Sequence, residues 1–437
     1  MQKFQKIFQN INFYLFFLLV FALPFKDNFL PTILTAWIFS WLFEGNLKQK
    51  FTGFDYKNKY YIPLAAYFIL TVAAFFMAKN SSTGWYHIQE KLSMAFFPII
   101  ISGSNSLIKK NYSKILLTFI LATLSVSLYL ITYAFFTNLH IENGTWHLTV
   151  SPYSSLEKKY TFFQLINIRQ NIFSGGWLSR ILHPSYLSMF NLFSLLIIVD
   201  FFRKKLIHKK WQKIIGSIAI LFLLMMIYLL QSRAGFLALA ASIIAVFLLE
   251  ILRKKQKRYF FAGLILLALS TTAILSSTRM QTVLKQTIGI LDKKETNLAK
   301  LDARFQTNFA AFQIIKENLW TGVGPANMYD ELKKQYKKYG FDEAAEERLN
   351  AHNQYLETFA GLGILGFLSL LGIIAGGFYY AYKNKHYLLF FLMLILSINF
   401  LFESMLNRIQ GILFMMLFYS LFIFMQPTNR QPDSNNQ

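Results

Sequence analysis

The chain contains no cysteine. Disulfides and thiolate chemistry are therefore excluded, and cysteine usage says nothing further about the redox compartment. Charge is scarce as well. Charged residues make up 15% of the sequence, against about 25% in a soluble globular domain. There is no D-x-D, a common carboxylate pair for holding a divalent metal on a sugar diphosphate. The seven histidines show no H-x-x-x-H or comparable spacing, which argues against zinc and leaves no metal site in the pattern.

Apolar residues are what the chain has in excess. Of 437 residues, 55% are hydrophobic and 18% aromatic. Length alone would allow about three soluble domains. The pattern argues otherwise, because apolar runs of about 17–25 residues recur between basic or polar segments. Stretches such as 115–136 and 214–230 are apolar all round, as lipid requires of a spanning helix. The reading is an all-α fold, a polytopic transmembrane helix bundle of about 12 spans. The spans fall at 10–24, 29–45, 61–78, 93–103, 115–136, 184–202, 214–231, 235–252, 259–276, 354–381, 387–402 and 409–425. The 93–103 run is short and either extends back toward Lys91 or is re-entrant. The first run lacks a small-x-small cleavage site and reads as a retained span rather than a signal peptide.

The net charge of +23 invites a nucleic-acid reading, but its distribution argues against that partner. Positive charge collects at 48–59, 109–114, 203–213, 253–258 and 383–385, in alternate connections between apolar runs. This is the positive-inside pattern. It predicts both termini in the cytoplasm and places any chemistry outside the membrane on the external face, which in a didermal cell is the periplasm. Two outward loops are long, 137–182 and 277–351. The organisation expected is an N-terminal bundle over 1–276, a partly helical periplasmic loop over 277–352, and C-terminal spans with a cytoplasmic tail over 353–437.

In the second loop, Phe305, Phe309, Phe312 and Ile315 recur at helical spacing and predict one apolar face. Gly322-Val323-Gly324-Pro325 breaks that helix. Asp342 reads as the N-cap of a last helix running through Glu346 and Arg348 toward His352. The G-L-G-I-L-G run at 361–366 matches a dinucleotide pattern but lies in an apolar span without a βαβ unit, so close helix packing explains it better.

Ionisable residues are nearly absent from the middles of the spans, which counts against a transporter. They collect at the outer ends: His183, Arg233, His352, Glu357, Glu403 and Arg408. A guanidinium at Arg233 can grip phosphate as a bidentate fork, or anchor the helix at the interface. Arg304 and Arg279 carry the same ambiguity on the loop. An imidazole at His352 can take a proton from an attacking hydroxyl, or be a hydrogen-bonded interface residue. His183 precedes Pro184, which suits a first helical turn, so a structural role and a substrate contact stand level.

QSRAGFLAL around Arg233, ARFQTNFAAFQIIKENLWTGVGPANM from Ala303, and AHNQYLETFAGLGILGFLSLL around His352 together resemble the O-antigen ligase and polymerase superfamily. The resemblance covers about 230–371. It implies a GT-C-like membrane glycosyltransferase that uses no metal, cofactor or nucleotide sugar. Its donor would be a glycan on a polyprenyl diphosphate such as undecaprenyl diphosphate, met among the membrane lipids. Its acceptor would be lipid A-core or another glycan. It also implies that Arg233 and Arg304 hold the diphosphate and that His352 deprotonates the acceptor hydroxyl. Arg279, His183 and Arg408 remain possible substrate contacts with no such implication. Ala234 stands where many relatives have glycine. O-antigen ligation leads, with a polysaccharide polymerase or a protein O-oligosaccharyltransferase as alternatives and a lipid-linked glycan transporter behind them.

The topology is directly testable, because the native chain offers no competing thiol. Lys57→Cys, Lys110→Cys, Lys209→Cys and Lys255→Cys should resist membrane-impermeant maleimide in intact cells, while Asn297→Cys and Lys337→Cys should react. Reaction at position 209 from outside would reverse the orientation.

Overall fold

The computed structural model describes residues 2–25, 29–104, 106–142, 145–148, 172–254 and 302–425. The expected span at 259–276, Arg279 and most of the 137–182 loop lie outside them. The fold is a bundle of apolar helices. Five are long and apolar enough to cross a membrane: Lys3–Ala22 within Gln2–Ala22, Tyr112–Thr137, Pro184–Arg203, Lys210–Leu229 and Gln354–Lys383. Five shorter apolar helices accompany them: Leu30–Phe43, Ile62–Phe75, Arg233–Leu249, Tyr387–Phe400 and Ile409–Ile423. The 93–103 run is the end of a continuous helix, Ser81–Ser102, whose 22 residues reach about 33 Å at 1.5 Å per residue. It therefore extends back past Lys91, and Glu90 and Lys91 fall near its middle.

One feature departs from the all-α expectation. Residues Leu139–Glu142 and Thr145–Leu148 pair as an antiparallel hairpin at the start of the first long loop. His140, Trp146 and Thr145 have no helical continuation to join, and backbone pairing is the local alternative that satisfies their N–H and C=O groups.

The centre of the bundle is the Pro184–Arg203 helix, buried along nearly its whole length, with Ile409–Ile423 beside it. Phe119, Phe190, Phe193, Phe414 and Phe418 interlock where these two meet Tyr112–Thr137; the closest pairs have ring centroids 4.9 Å apart. Lipid is as apolar as these side chains, so packing and interhelical hydrogen bonds supply the cohesion. Ser127 donates to Asn191 at 3.0 Å, and Ser194 to Thr123 at 3.0 Å. The outer helices turn bulk outward instead, with Ile214, Ile215, Ile218 and Leu221 exposed on one of them. A belt of that kind is stable against acyl chains and not against water.

The segment from 302 to 353 folds as three short helices, Ala303–Glu317, Met328–Tyr339 and Asp342–Glu346, over a small core of their own. Tyr336, Phe341, Leu332 and Ile314 fill it, and Ala360 of the Gln354–Lys383 helix forms its floor. The expected apolar face is buried only in part, with Ile315 in this core and Phe309 packed against it. Phe305 and Phe312 remain 38% and 48% exposed, while Thr307, Ala310, Ala311 and Ile314 face inward. Small residues allow the helix to lie close on its neighbour, which the phenylalanine face would prevent. The expected Asp342 helix is also shorter than read. Phe341 is its N-cap and it stops at Glu346, and Arg348 and His352 both adopt the left-handed conformation.

The glycine run at 361–366 has a different role from helix-on-helix packing. Gln354–Lys383 is broken at Gly363, with φ +66°. The Gly322–Gly324 turn lies in that break: Val323 N–H donates to Ala360 O, Gly324 N–H to Gly361 O, and Ile364 N–H to Leu319 O, at 2.9, 2.9 and 3.0 Å. Backbone meets backbone here, and the carbonyls freed by the break are satisfied by the loop. A Cβ on Gly363 would lie 2.1 Å from Trp320 O. Gly363→Ala should therefore lower the thermal midpoint of the purified protein by the equivalent of at least about 2 kcal/mol. Gly376→Ala, whose Cβ would meet nothing nearer than 3.6 Å, should change it by less than about 1 kcal/mol. Equal midpoints for the two variants would mean that the break is not fixed by this contact.

Candidate functional site

Four helix ends and two turns converge at one end of the bundle. Arg233 is the first residue of the Arg233–Lys254 helix, and its Nη2 meets Asp302 Oδ2 at 3.1 Å. Asp302 is also the N-cap of Ala303–Glu317, its Oδ1 accepting from Arg304 N–H at 2.9 Å. One carboxylate thus fixes the first arginine and the helix that carries the second. Arg304 Nη2 donates to Glu403 Oε1 at 2.8 Å. Glu403 lies in the turn after Tyr387–Phe400, and its other oxygen meets His352 Nδ1 at 3.3 Å. Ser185 also donates to Glu403 Oε1, at 3.3 Å, and receives from Ser232 at 3.2 Å.

The structure therefore brings Arg233, Arg304 and His352 together, across 120 residues of chain, through Asp302 and Glu403. His183 joins them at the edge. It caps Pro184–Arg203, with Pro184 in the first turn, and its Nδ1 accepts from Ser185 N–H at 3.4 Å. The same Nδ1 is 3.7 Å from Glu403 Oε1, too far for a hydrogen bond. Arg408 is exposed, and its guanidinium makes no hydrogen bond or ion pair with the described residues. Arg279 lies outside them. Glu403 and Asp302 were not singled out as site residues by sequence. An acidic residue in a short turn between two apolar runs was the available signal for Glu403.

Burial pushes the Glu403 carboxyl up. The hydrogen bond with His352 and the nearby His183 and Arg304 outweigh it and hold the group below the usual carboxylate range. Burial likewise pushes Asp302 up, and Arg233, the Arg304 backbone N–H and the Arg304 charge bring it below that range. Both are carboxylates at neutral pH, so each arginine has one counter-charge. Neither guanidinium is saturated: Arg233 Nε and Arg304 Nη1 are buried with no hydrogen-bond partner among the described residues. Buried unsatisfied donors are rare enough to require an explanation, and an oxyanion between the two arginines supplies one.

With Glu403 accepting at Nδ1, the network assigns the proton of a neutral His352 to that nitrogen, leaving Nε2 with its lone pair. His352 is held at φ +47°, uncommon for a residue with a Cβ, by its N–H donating to Asn350 Oδ1 at 2.9 Å. An open apolar groove of about 450 Å³ starts next to it, lined by Phe312, Ile315, Asn353, Leu356, Phe359 and Leu401 among others. Phe312 and Ile315 lie on the helix that opens with Arg304, so the groove runs beside the helix that carries that arginine.

Residues 218–371 match the sequence model of the family described as O-antigen ligase. The resemblance to the O-antigen ligase superfamily holds over that stretch, which includes Arg233, Arg304 and His352. An uncharacterized protein of Haemophilus influenzae is 29% identical over 203 residues, 44% of this chain and 48% of the relative. The chain thus spans about half the length of the curated relative it matches. Over residues 218–371 the chain is thus similar to the O-antigen ligase family, in a helical bundle with five described helices long and apolar enough to cross a membrane.

The depressed Glu403 pKa sets a pH dependence. Such a group stabilises the fold above its unfolded value of about 4.3 and loses that contribution as pH falls through its lower folded value. Glu403→Gln, which strands Arg304, should cost about 3–5 kcal/mol at neutral pH. The difference in thermal midpoint from the wild type should shrink as pH falls below about 4. A difference that stays constant across that range would show that the carboxylate charge is not the source.

Proposed function

We propose that the protein transfers a glycan from a polyprenyl-diphosphate carrier to an acceptor hydroxyl at the periplasmic face of the inner membrane, and that the acceptor is lipid A-core. The observation that carries this reading is the pair of unsatisfied guanidinium nitrogens, Arg233 Nε and Arg304 Nη1, beside a histidine backed by a carboxylate. A diphosphate between the arginines would satisfy both. The adjoining apolar groove, bordered by Phe312 and Ile315, suits the first isoprene units of the same donor.

In the reaction, the acceptor oxygen attacks the anomeric carbon while His352 Nε2 takes its proton. The bond from that carbon to the diphosphate oxygen breaks, and the electron pair leaves with the polyprenyl diphosphate. Arg233 and Arg304 neutralise the charge that develops on the leaving group. Glu403 stabilises the imidazolium formed at His352, as a carboxylate does for a histidine base elsewhere. Charge stabilisation by two arginines takes the place a divalent metal would otherwise fill, so the transfer is expected to proceed in chelator.

Purified protein given an undecaprenyl-diphosphate-linked glycan and lipid A-core should join them in excess chelator. His352→Ala should lower kcat by about 10²–10⁴-fold with donor binding nearly unchanged. Arg233→Lys should weaken donor binding as well as turnover, because an ammonium lacks the fork geometry and the phosphates are present in ground and transition states alike. Arg304→Lys should act in the same direction. Equal loss of donor binding in His352→Ala and Arg233→Lys would remove the base assignment. Extension of one lipid-linked glycan by another, with lipid A-core untouched, would make the protein a polymerase.

A further inference from the structure

A second set of buried charged groups lies beneath the first. Lys91 and Glu357 are both buried, on Ser81–Ser102 and Gln354–Lys383 respectively. They are joined through one amide: Lys91 Nζ donates to Asn407 Oδ1 at 3.3 Å, and Asn407 Nδ2 donates to Glu357 Oε1 at 3.1 Å. A lysine can only donate and a carboxylate can only accept, so this amide has a single orientation that serves both. Lys91 also donates to Leu406 O, and Glu90 supplies its nearer counter-charge at 3.3 Å. His87 pairs with Glu90 in turn, at 3.2 Å.

Lys91 and Glu357 both reach the two turns that carry the site. Glu357 Oε2 accepts from Ala351 N–H at 3.0 Å, next to His352, and from Ser404 Oγ at 3.4 Å, next to Glu403. Gln354, fully buried, accepts from Leu406 N–H at 2.7 Å. Ionised groups buried in a membrane bundle are expensive, and apolar residues of similar volume would generally cost less. The cluster also clamps a backbone strained at His352. Lys91 belongs to a helix outside residues 218–371, so the cluster ties the N-terminal part of the bundle to the site, as Ser185 does from the central helix.

We propose that Lys91 and Glu357, bridged by Asn407, are positioning residues that hold His352 and Glu403 in register for the transfer reaction, a role that rests on the function proposed above. They touch neither donor nor acceptor. Their effect is on the distance between His352 Nδ1 and Glu403, and so on where Nε2 points.

The test uses the full-length protein in lipid nanodiscs, with Lys91→Met and the doubly neutral Lys91→Met/Glu357→Gln. Lys91→Met strands a buried carboxylate and should lower the thermal midpoint. The double variant removes one of the two carboxylates that face Lys91, leaves Glu90 with His87 as its partner, and should recover part of that loss. In both, kcat should fall by about 10–100-fold, the range for lost support of a catalytic group, with donor KM within about twofold. The second readout needs no transfer. Carbethoxylation of His352 by diethyl pyrocarbonate, read by peptide mass mapping against His183 as internal reference, should quicken about threefold or more in both variants as the turn loosens. Recovery of kcat together with the midpoint in the double variant would make the cluster structural only and overturn the proposal. Wild-type carbethoxylation in both variants would overturn it too, whether or not transfer is detected. Faster carbethoxylation alongside a wild type that transfers no polyprenyl-diphosphate-linked glycan would sustain the positioning role and sink the proposed function instead.

Discussion

A carboxylate sealed at the end of a membrane bundle cannot remain ionised without donors around it, and Glu403 is the case on which the site depends. It has little water, so it draws in Arg304, His352 and Ser185 at hydrogen-bond distance. Those three come from the loop, the start of the Gln354–Lys383 helix, and the central Pro184–Arg203 helix. Satisfying one buried charge thereby assembles parts of the chain that the bundle alone would leave unrelated. Asp302 does the same on a smaller scale for Arg233 and the start of the Ala303–Glu317 helix.

The loop could not deliver Arg304 and His352 if it were merely tethered at its ends. It is docked by backbone hydrogen bonds into a break in a membrane helix, and glycines at 322 and 363 make the approach close enough. Asn327 adds a second anchor, donating to Met77 O and Val323 O at 2.8 Å each. Salt between Lys79 and Glu331 at 2.8 Å is exposed and adds little to this. A rigid loop over an open apolar groove is a suitable arrangement for a substrate with a lipid tail and a charged head.

The two arginines are held alike. Each has a counter-charge from the protein, which keeps two guanidinium groups together without mutual repulsion dominating. Each also keeps a buried nitrogen with no partner among the described residues. A ligand that offers two or more oxyanions gains both nitrogens at once, whereas a single carboxylate gains one. Under the proposed function, that difference would favour a diphosphate over a simpler anion and tie recognition of the donor to the same groups that would stabilise its departure.

Composition, hydropathy and the spacing of charge pointed to a helical membrane protein and to the end of its helices where ionisable residues collect, and short motifs that resemble a known family drew attention to Arg233, Arg304 and His352. Those features are local, written in runs of about 20 residues or in short motifs. What the tertiary structure decided is everything that joins distant segments: Glu403 and Asp302 as partners, the buried face of Ala303–Glu317, the backbone seat at Gly363, and the Lys91–Asn407–Glu357 bridge. The apolar pattern of the loop helix did not disclose that Phe305 and Phe312 would stay exposed, because phenylalanines in a membrane protein gain as much from lipid or a groove as from a core. The glycine run was read as helix packing because a glycine does not disclose which backbone will approach it. Glu403 and Lys91 went unassigned because the need to neutralise a buried charge appears only once folding has taken the water away.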